Sequence, residues 1–275
     1  MLGSIFSKFA SLSYDVFTLA PNTDITNHKS VKEQLCDIRP DVVIHTAAYT
    51  DVDGCESNSI KAKLVNEMAT QNIAACCEIT KSKLVYISST GVYGDTKSSA
   101  YAEDDVPRPT TIHHQSKLDG EIAIASLLKD YLILRVGWLY GGSPDQKNNF
   151  VYKRFLEAQE HDVVYSDPFQ IGNPTSCSDV VIQTLLLLEH DETGIFNCVN
   201  LGHKVSRFDY VSAIVANFSL DCVVKKAKKG DFSRAAPTSR NESAINGRLE
   251  SLGLNVMRDW KVALTSYIDE LNQNL

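Results

Sequence analysis

Arg39-Pro-Asp-Val-Val-Ile-His-Thr-Ala-Ala-Tyr-Thr50 decides the architecture. Pro40 breaks a helical pattern, Asp41–His45 reads as a short apolar strand, and small side chains follow it. The same unit recurs downstream. A helical pattern over 59–80 leads into the run Lys83-Leu-Val-Tyr-Ile87, and a second over 113–128 leads into Tyr131-Leu-Ile-Leu-Arg-Val136. Apolar strands separated by helices of this length cannot form hairpins, so they pair in parallel through right-handed crossovers. The expected fold class is α/β, a doubly wound parallel sheet.

Working outward, Ile5, Phe6, Phe9 and Leu12 mark a helix over 4–12, Tyr14–Leu19 reads as a strand, and 31–36 as a helix. Beyond residue 145 come a helix over 148–160, a strand over 162–165, a helix over 179–189, a strand over 194–199 and mainly helical chain. Two portions are expected. Residues 1–145, with 176–195 returning to them, build the sheet, while 146–175 and 196–275 form a smaller α/β portion closing over the carboxyl ends of the strands.

Twenty-seven Lys and Arg against 34 Asp and Glu give a net charge of −7, with no basic segment to face a phosphate backbone. Nucleic acid is excluded as an expected partner. The longest aliphatic run, Leu185–Leu188, is far short of a membrane span. The N-terminus lacks the basic and apolar regions of a secretory signal, and the seven cysteines mostly lie in apolar periodic segments without zinc spacing. Reduced thiols in the cytoplasm are expected, with Cys76 and Cys77 as buried helix residues.

In an open parallel sheet the ligand lies beyond the carboxyl ends of the strands. There the sequence places Thr46-Ala47-Ala48-Tyr49-Thr50, Ser88-Ser89-Thr90-Gly91-Val92-Tyr93-Gly94 and Gly137-Trp138-Leu139-Tyr140-Gly141, with Lys117 on the helix beside them. Singly, each also reads as close packing, a turn or a cap.

Together with YAEDDVPRPTT, SKLDGE, NNFV, QIGNPT, GIFNCVN and SAINGRLESLGL, these stretches resemble the dTDP-4-dehydrorhamnose reductase group of the extended short-chain dehydrogenase/reductases. The resemblance spans nearly the whole chain. It implies a Rossmann fold that binds NADPH or NADH and a nucleotide-linked 4-keto-6-deoxy sugar, in surface polysaccharide synthesis. By the family pattern, Leu2 and Gly3 end the phosphate loop, Asp24 and Ile25 meet the adenosine, and Ala47, Ala48 and Tyr49 line the cofactor. Ser89 bonds the ketone, Lys117 holds the nicotinamide ribose, and Thr90, Trp138 and Asn149 face the sugar. No metal is implied, and a homodimer is the default assembly.

Two departures stand out. Four residues before Lys117, where the family carries its proton-donating tyrosine, this chain has His113; His114 beside it reads as a partly exposed helix residue. His113 is the expected donor, with a pKa below ~6.5 and activity falling above roughly pH 6 to 7. Met1-Leu2-Gly3 matches only the end of the family's glycine motif, so about 10 to 15 preceding residues, carrying a central strand, are expected. Without them a slot is expected between strands 15–19 and 41–45 on one side and 83–87 on the other. Neither Asp, Glu nor Arg follows 14–19 to choose between NAD and NADP, and Thr238-Ser239-Arg240 stands where an Arg-Pro pair is common. The same branch includes the regulatory beta subunit of methionine adenosyltransferase, a non-catalytic alternative; sugar epimerases share the fold but use the tyrosine.

Overall fold

Four strands form the centre of the molecule, all parallel, in the spatial order β1 (Val42–His45), β2 (Lys83–Ser89), β3 (Tyr131–Val136) and β8 (Gly194–Cys198). The computed structural model describes every residue except 20–22, 145, 147, 148, 203, 233, 274 and 275. Successive residues of β2 point to opposite faces. Val85 and Ile87 join Leu132, Leu134 and Phe196 beneath α1 (Leu2–Ala10) and α8 (Cys177–Glu189). Leu84 and Tyr86 join Ile133 beneath α2 (His28–Ile38), α5 (Ala69–Thr80) and α6 (Ile112–Leu127). Burial on both faces explains why these strands are almost continuously apolar.

Two short helices, α3 (Val52–Ser57) and α4 (Ser59–Ala62), follow β1, and a π-helical stretch, Lys63–Met68, joins α4 to α5. After β3 come β4 (Trp138–Tyr140), α7 (Phe150–Glu160), β5 (Val163–Ser166), β6 (Ile171–Gly172) and β7 (Pro174–Ser176). Beyond β8 lie β9 (Val205–Ser206), α9 (Arg207–Asn217), β10 (Val223–Lys226), α10 (Gly247–Leu252) and α11 (Trp260–Asn272). Tyr140, Val151, Tyr210, Trp260 and Leu264 form a second core among α7, α9 and α11. The boundary expected after residue 195 cuts through β8, which pairs with β3 from Gly194 to Cys198. Leu249 and Met257 likewise pack in the core of the main sheet.

The sequence reading fails at Tyr14–Leu19, which has no regular secondary structure and belongs to no sheet. Phe17 is 68% exposed, and among the described residues no strand offers this segment a ladder. Apolar alternation marks a segment able to pair, but pairing needs a neighbour. Leu12, expected on the buried face of α1, lies beyond its end and is exposed. A cleft of about 1350 Å³ opens between 13–19 and the outer edge of β1, walled by Phe6, Leu35, Ile44 and Leu188. The slot therefore lies outside β1, because β1 hydrogen-bonds directly to β2. On urea unfolding, Leu134→Ala in the sealed sheet should cost ~2–5 kcal/mol, whereas Phe17→Ser should change stability by less than ~0.5 kcal/mol.

Candidate active site

Helix α6 carries polar residues toward the sheet. Thr111 caps it by accepting from the His114 amide at 3.2 Å, and His113, His114, Ser116, Lys117, Gly120 and Glu121 are all buried. What fixes it is an ion pair at its middle. Glu121 accepts from Arg135 of β3 at 2.6–3.2 Å and from the hydroxyl of Ser88 on β2. Both charged side chains are 3% exposed, and the guanidinium also lies 4.8 Å over the Tyr93 ring. Burial is the largest single influence and lowers the Arg135 pKa, but the hydrogen bond and charge of Glu121, with Tyr93, together outweigh it and hold the pKa above its ordinary value. Gly120 lets the helix approach, since a β-carbon there would stand 2.7 Å from both the Asn66 carbonyl and the Tyr86 hydroxyl.

The π-helical stretch turns Asn66 inward, where it clamps the loop after β1. Its side chain accepts from the Tyr49 amide at 2.8 Å and donates to the Tyr49 carbonyl at 3.1 Å and to Ser116 Oγ at 3.0 Å. The same carbonyl lies 3.1 Å from His113 Nδ1, and Cys55 Sγ is 3.9 Å from that nitrogen. A carbonyl only accepts, so Nδ1 carries the proton and Nε2 the lone pair.

One helical turn on, the Lys117 ammonium sits 3.9 Å over the Tyr86 ring. Among the described residues no acceptor hydrogen-bonds to it, because the Glu121 carboxylate is spent on Ser88 and Arg135. Burial lowers its pKa to about 7, with Glu121 opposing. Burial, then the charges of His114 and Lys117, push His113 down to about 3 against the Tyr49 bond. His114, expected to be partly exposed, is 5% exposed, with Nδ1 3.0 Å from Thr111 Oγ1 and its ring against Gly91. Burial and Lys117 lower it to about 4, and lower His45, bonded to Thr70 at 3.0 Å, to about 3. His113 thus lies one turn before Lys117 on α6 and is a neutral imidazole at neutral pH.

Ser89 begins a 3-10 turn, Thr90–Tyr93; its oxygen accepts from the Gly91 amide at 3.2 Å, leaving its proton to donate elsewhere. Thr90 is 1% exposed. Trp138 is held from both sides, its indole N–H donating to Glu242 at 2.9 Å and Arg207 stacking 3.5 Å over its rings. Asn149 is spoken for by the protein: it caps α7 through the Tyr152 amide and donates to Tyr267 Oη at 2.6 Å and the Ser143 carbonyl. Leu2 is a core residue, which leaves only its backbone for a ligand. Gly3 brings the first turn of α1 against Thr46, where a β-carbon would meet Oγ1 at 2.8 Å. Asp24 forms a local turn with Thr26, whose hydroxyl and amide bonds hold its pKa below the ordinary value. Ile25 and Ala47 line the cleft beside β1.

A dinucleotide fits these residues. No side chain caps the N-terminus of α1, whose free amides suit a phosphate beside Thr46 and Ala47, and the unpaired Lys117 ammonium suits ribose hydroxyls. Sequence reasoning missed Asn66, Tyr86, Glu121 and Arg135. The readable signal was a charged residue inside the buried run Tyr131–Val136, which requires a partner.

A family model described as RmlD substrate binding domain matches residues 2–273. The chain belongs to this family. The dTDP-4-dehydrorhamnose reductase of Mycobacterium tuberculosis strain H37Rv is 32% identical over 233 residues, 82% of this chain and 75% of that protein. Among solved structures, a dTDP-4-dehydrorhamnose reductase from Clostridium acetobutylicum superposes with a TM-score of 0.94 at 30% identity, covering 98% of this chain and 96% of that one. The Bacillus anthracis dTDP-4-dehydrorhamnose reductase, solved in complex with NADP, gives 0.93 at 28% identity over 98% and 95%. The RmlD family fold thus extends through nearly the whole chain.

The three buried histidines make stability pH-dependent. Unfolded, each takes up a proton near pH ~6.5; folded, only near 3 to 4. The unfolded state therefore binds more protons in between, and stability falls as pH drops from about 6.5 toward 4, by up to ~1.4 kcal/mol per pH unit per histidine. Urea unfolding should show this slope, shallower by about one proton in His45→Asn. Glu121→Ala, which strands a buried guanidinium, should cost ~3–5 kcal/mol in the same measurement at pH 7.5.

Proposed function

We propose that this chain is an NAD(P)H-dependent reductase of a nucleotide-activated 4-keto-6-deoxy sugar, acting in the cytoplasm as a homodimer in the supply of sugar nucleotides for surface polysaccharide. The observation that carries the reading is the family match over 2–273, joined to a buried lysine without an anionic partner at the strand ends. The bound cofactor supplies hydride. Reduction turns a ketone into an alkoxide, which needs a donor and a cation in place before the charge develops. Ser89 has a hydroxyl proton to give to the ketone oxygen. Lys117 supplies the positive charge, made stronger by burial beneath Tyr86 and His45. Trp138, pinned by Glu242 and Arg207, forms a rigid wall for the sugar.

A second reading, a binding subunit without turnover, is favoured by one observation: His113 is neutral where the family pattern calls for an acid. Cofactor oxidation with a panel of dTDP- and UDP-linked 4-keto-6-deoxy sugars between pH 6 and 8 separates the two. The expected result is turnover of at least one sugar, lowered ~10²–10⁴-fold in Lys117→Met. Binding of NADPH without turnover of any sugar would make the subunit reading the better one.

A further inference from the structure

His113 and Lys117 are 8% and 4% exposed, share one face of α6, and each presents a polar atom with no hydrogen-bond partner among the described residues. At Lys117 it is a donor, the Nζ ammonium over Tyr86. At His113 it is an acceptor, Nε2, because Nδ1 donates to the Tyr49 carbonyl that Asn66 holds in place. Neither atom is sealed from solvent, so a donor and an acceptor one turn apart on a mostly buried helix face are open to a ligand that supplies the complement. A hydroxyl can donate to Nε2, and an alkoxide or carbonyl oxygen can accept from Nζ.

For Nε2 to give a proton, the ring would first have to become an imidazolium, and its surroundings oppose that. From its own helix it faces His114, 5.0 Å between ring centres, and the Lys117 charge; from α3 it faces the uncharged thiol of Cys55. The nearby carboxylates are turned elsewhere, Asp51 to the Gly54 amide at 2.9 Å and Glu56 to the Ile112 amide at 2.8 Å. Lys117 faces Tyr86 from β2, His45 from β1, His113 and His114 from α6, and Glu121, whose carboxylate Arg135 and Ser88 already occupy.

We propose that His113 is a hydrogen-bond acceptor for a substrate hydroxyl, and that the proton delivered to the nascent alkoxide is the one on Lys117 Nζ. The proposal rests on the reductase reading. Hydride from the reduced nicotinamide forms the new C–H bond at the carbonyl carbon as the C=O π pair moves to oxygen. That oxygen takes a proton from Nζ, leaving a neutral amine that regains a proton from water. Burial brings the amine to about 7, so it can both give and recover a proton near neutrality.

Nuclear magnetic resonance of the full chain with 15N-histidine and 13Cε-lysine tests the assignment without substrate. The expected result is a His113 ring that stays neutral, protonated at Nδ1, from pH 8 to 5, and a lysine signal with a midpoint near 7 that Lys117→Met removes. An imidazolium at His113 with a midpoint near 6, or a Lys117 midpoint near 10, would overturn the proposal. With a turned-over sugar, kcat should fall with one-proton slope above about pH 7. His113→Gln should keep that midpoint, and His113→Phe should raise KM about tenfold, the effect of one lost hydrogen bond, with a much smaller change in kcat. Loss of the kcat midpoint in both variants would return the proton to the histidine and end the proposal. If no sugar is turned over, the reductase reading fails and the catalytic step fails with it, while the two titrations still decide the protonation states.

Discussion

The Glu121–Arg135 ion pair governs the site although neither residue faces a ligand. Removing two charges from water costs several kcal/mol for each ion, repaid only by close geometry and additional hydrogen bonds. The carboxylate here accepts from Arg135 Nε, Arg135 Nη2 and Ser88 Oγ, and the guanidinium stacks on Tyr93. Tyr93 passes the constraint on by donating to Asn197 of β8 at 2.8 Å. One cluster therefore sets α6 against three neighbouring strands, and its value lies in register more than in net stability. It also dictates the state of Lys117. A lysine one turn from a glutamate would ordinarily pair with it, but this glutamate is fully engaged. The ammonium is left on an aromatic face, held in place and free of an anion.

A second constraint comes from the irregular stretch Lys63–Met68. A π-helical turn inserts an extra residue into the ladder and re-aims the side chains around it. Here it directs Asn66 onto both the backbone amide and the backbone carbonyl of Tyr49. The loop after β1 is thereby fixed with its carbonyl toward His113, and that carbonyl selects the histidine tautomer. The tautomer at the site is thus set by a backbone carbonyl that an irregular neighbouring helix holds in place.

How much of this the sequence reveals depends on what each residue is buried against. The strands at 42–45, 83–89, 131–136 and 194–198 were legible to within about two residues because burial on both faces leaves an unbroken apolar run. Tyr14–Leu19 carries the same signal without a partner strand, and a pattern cannot record a missing neighbour. Helix α6 was located but His114 was misjudged as partly exposed, since the amphipathic rule assumes that the buried face is apolar. His114, Lys117 and Glu121 invert it. Asn149 is ambiguous for another reason: an asparagine before a helix reads equally as a ligand or as a cap, and in the fold its side chain bonds to Tyr152 and Tyr267.

The two walls of the site are joined through the chain itself. Trp138 follows β3 by a single residue, Gly137, where a β-carbon would stand 2.3 Å from the Asn173 carbonyl. Any side chain there would push β3 and the Asn173 segment apart. Asn173 in turn donates to the Asn200 carbonyl at 3.2 Å and accepts from the Ala244 amide at 2.8 Å, binding the strand after the sheet to the loop that carries Glu242. The indole is therefore positioned by the same strand that holds Arg135, and its contacts with Glu242 and Arg207 are complete without a ligand. In the reduction proposed above, a wall assembled in advance on rigid elements would need no reorganisation when charge develops on the ketone, which is the condition under which fixed dipoles and cations lower a barrier most.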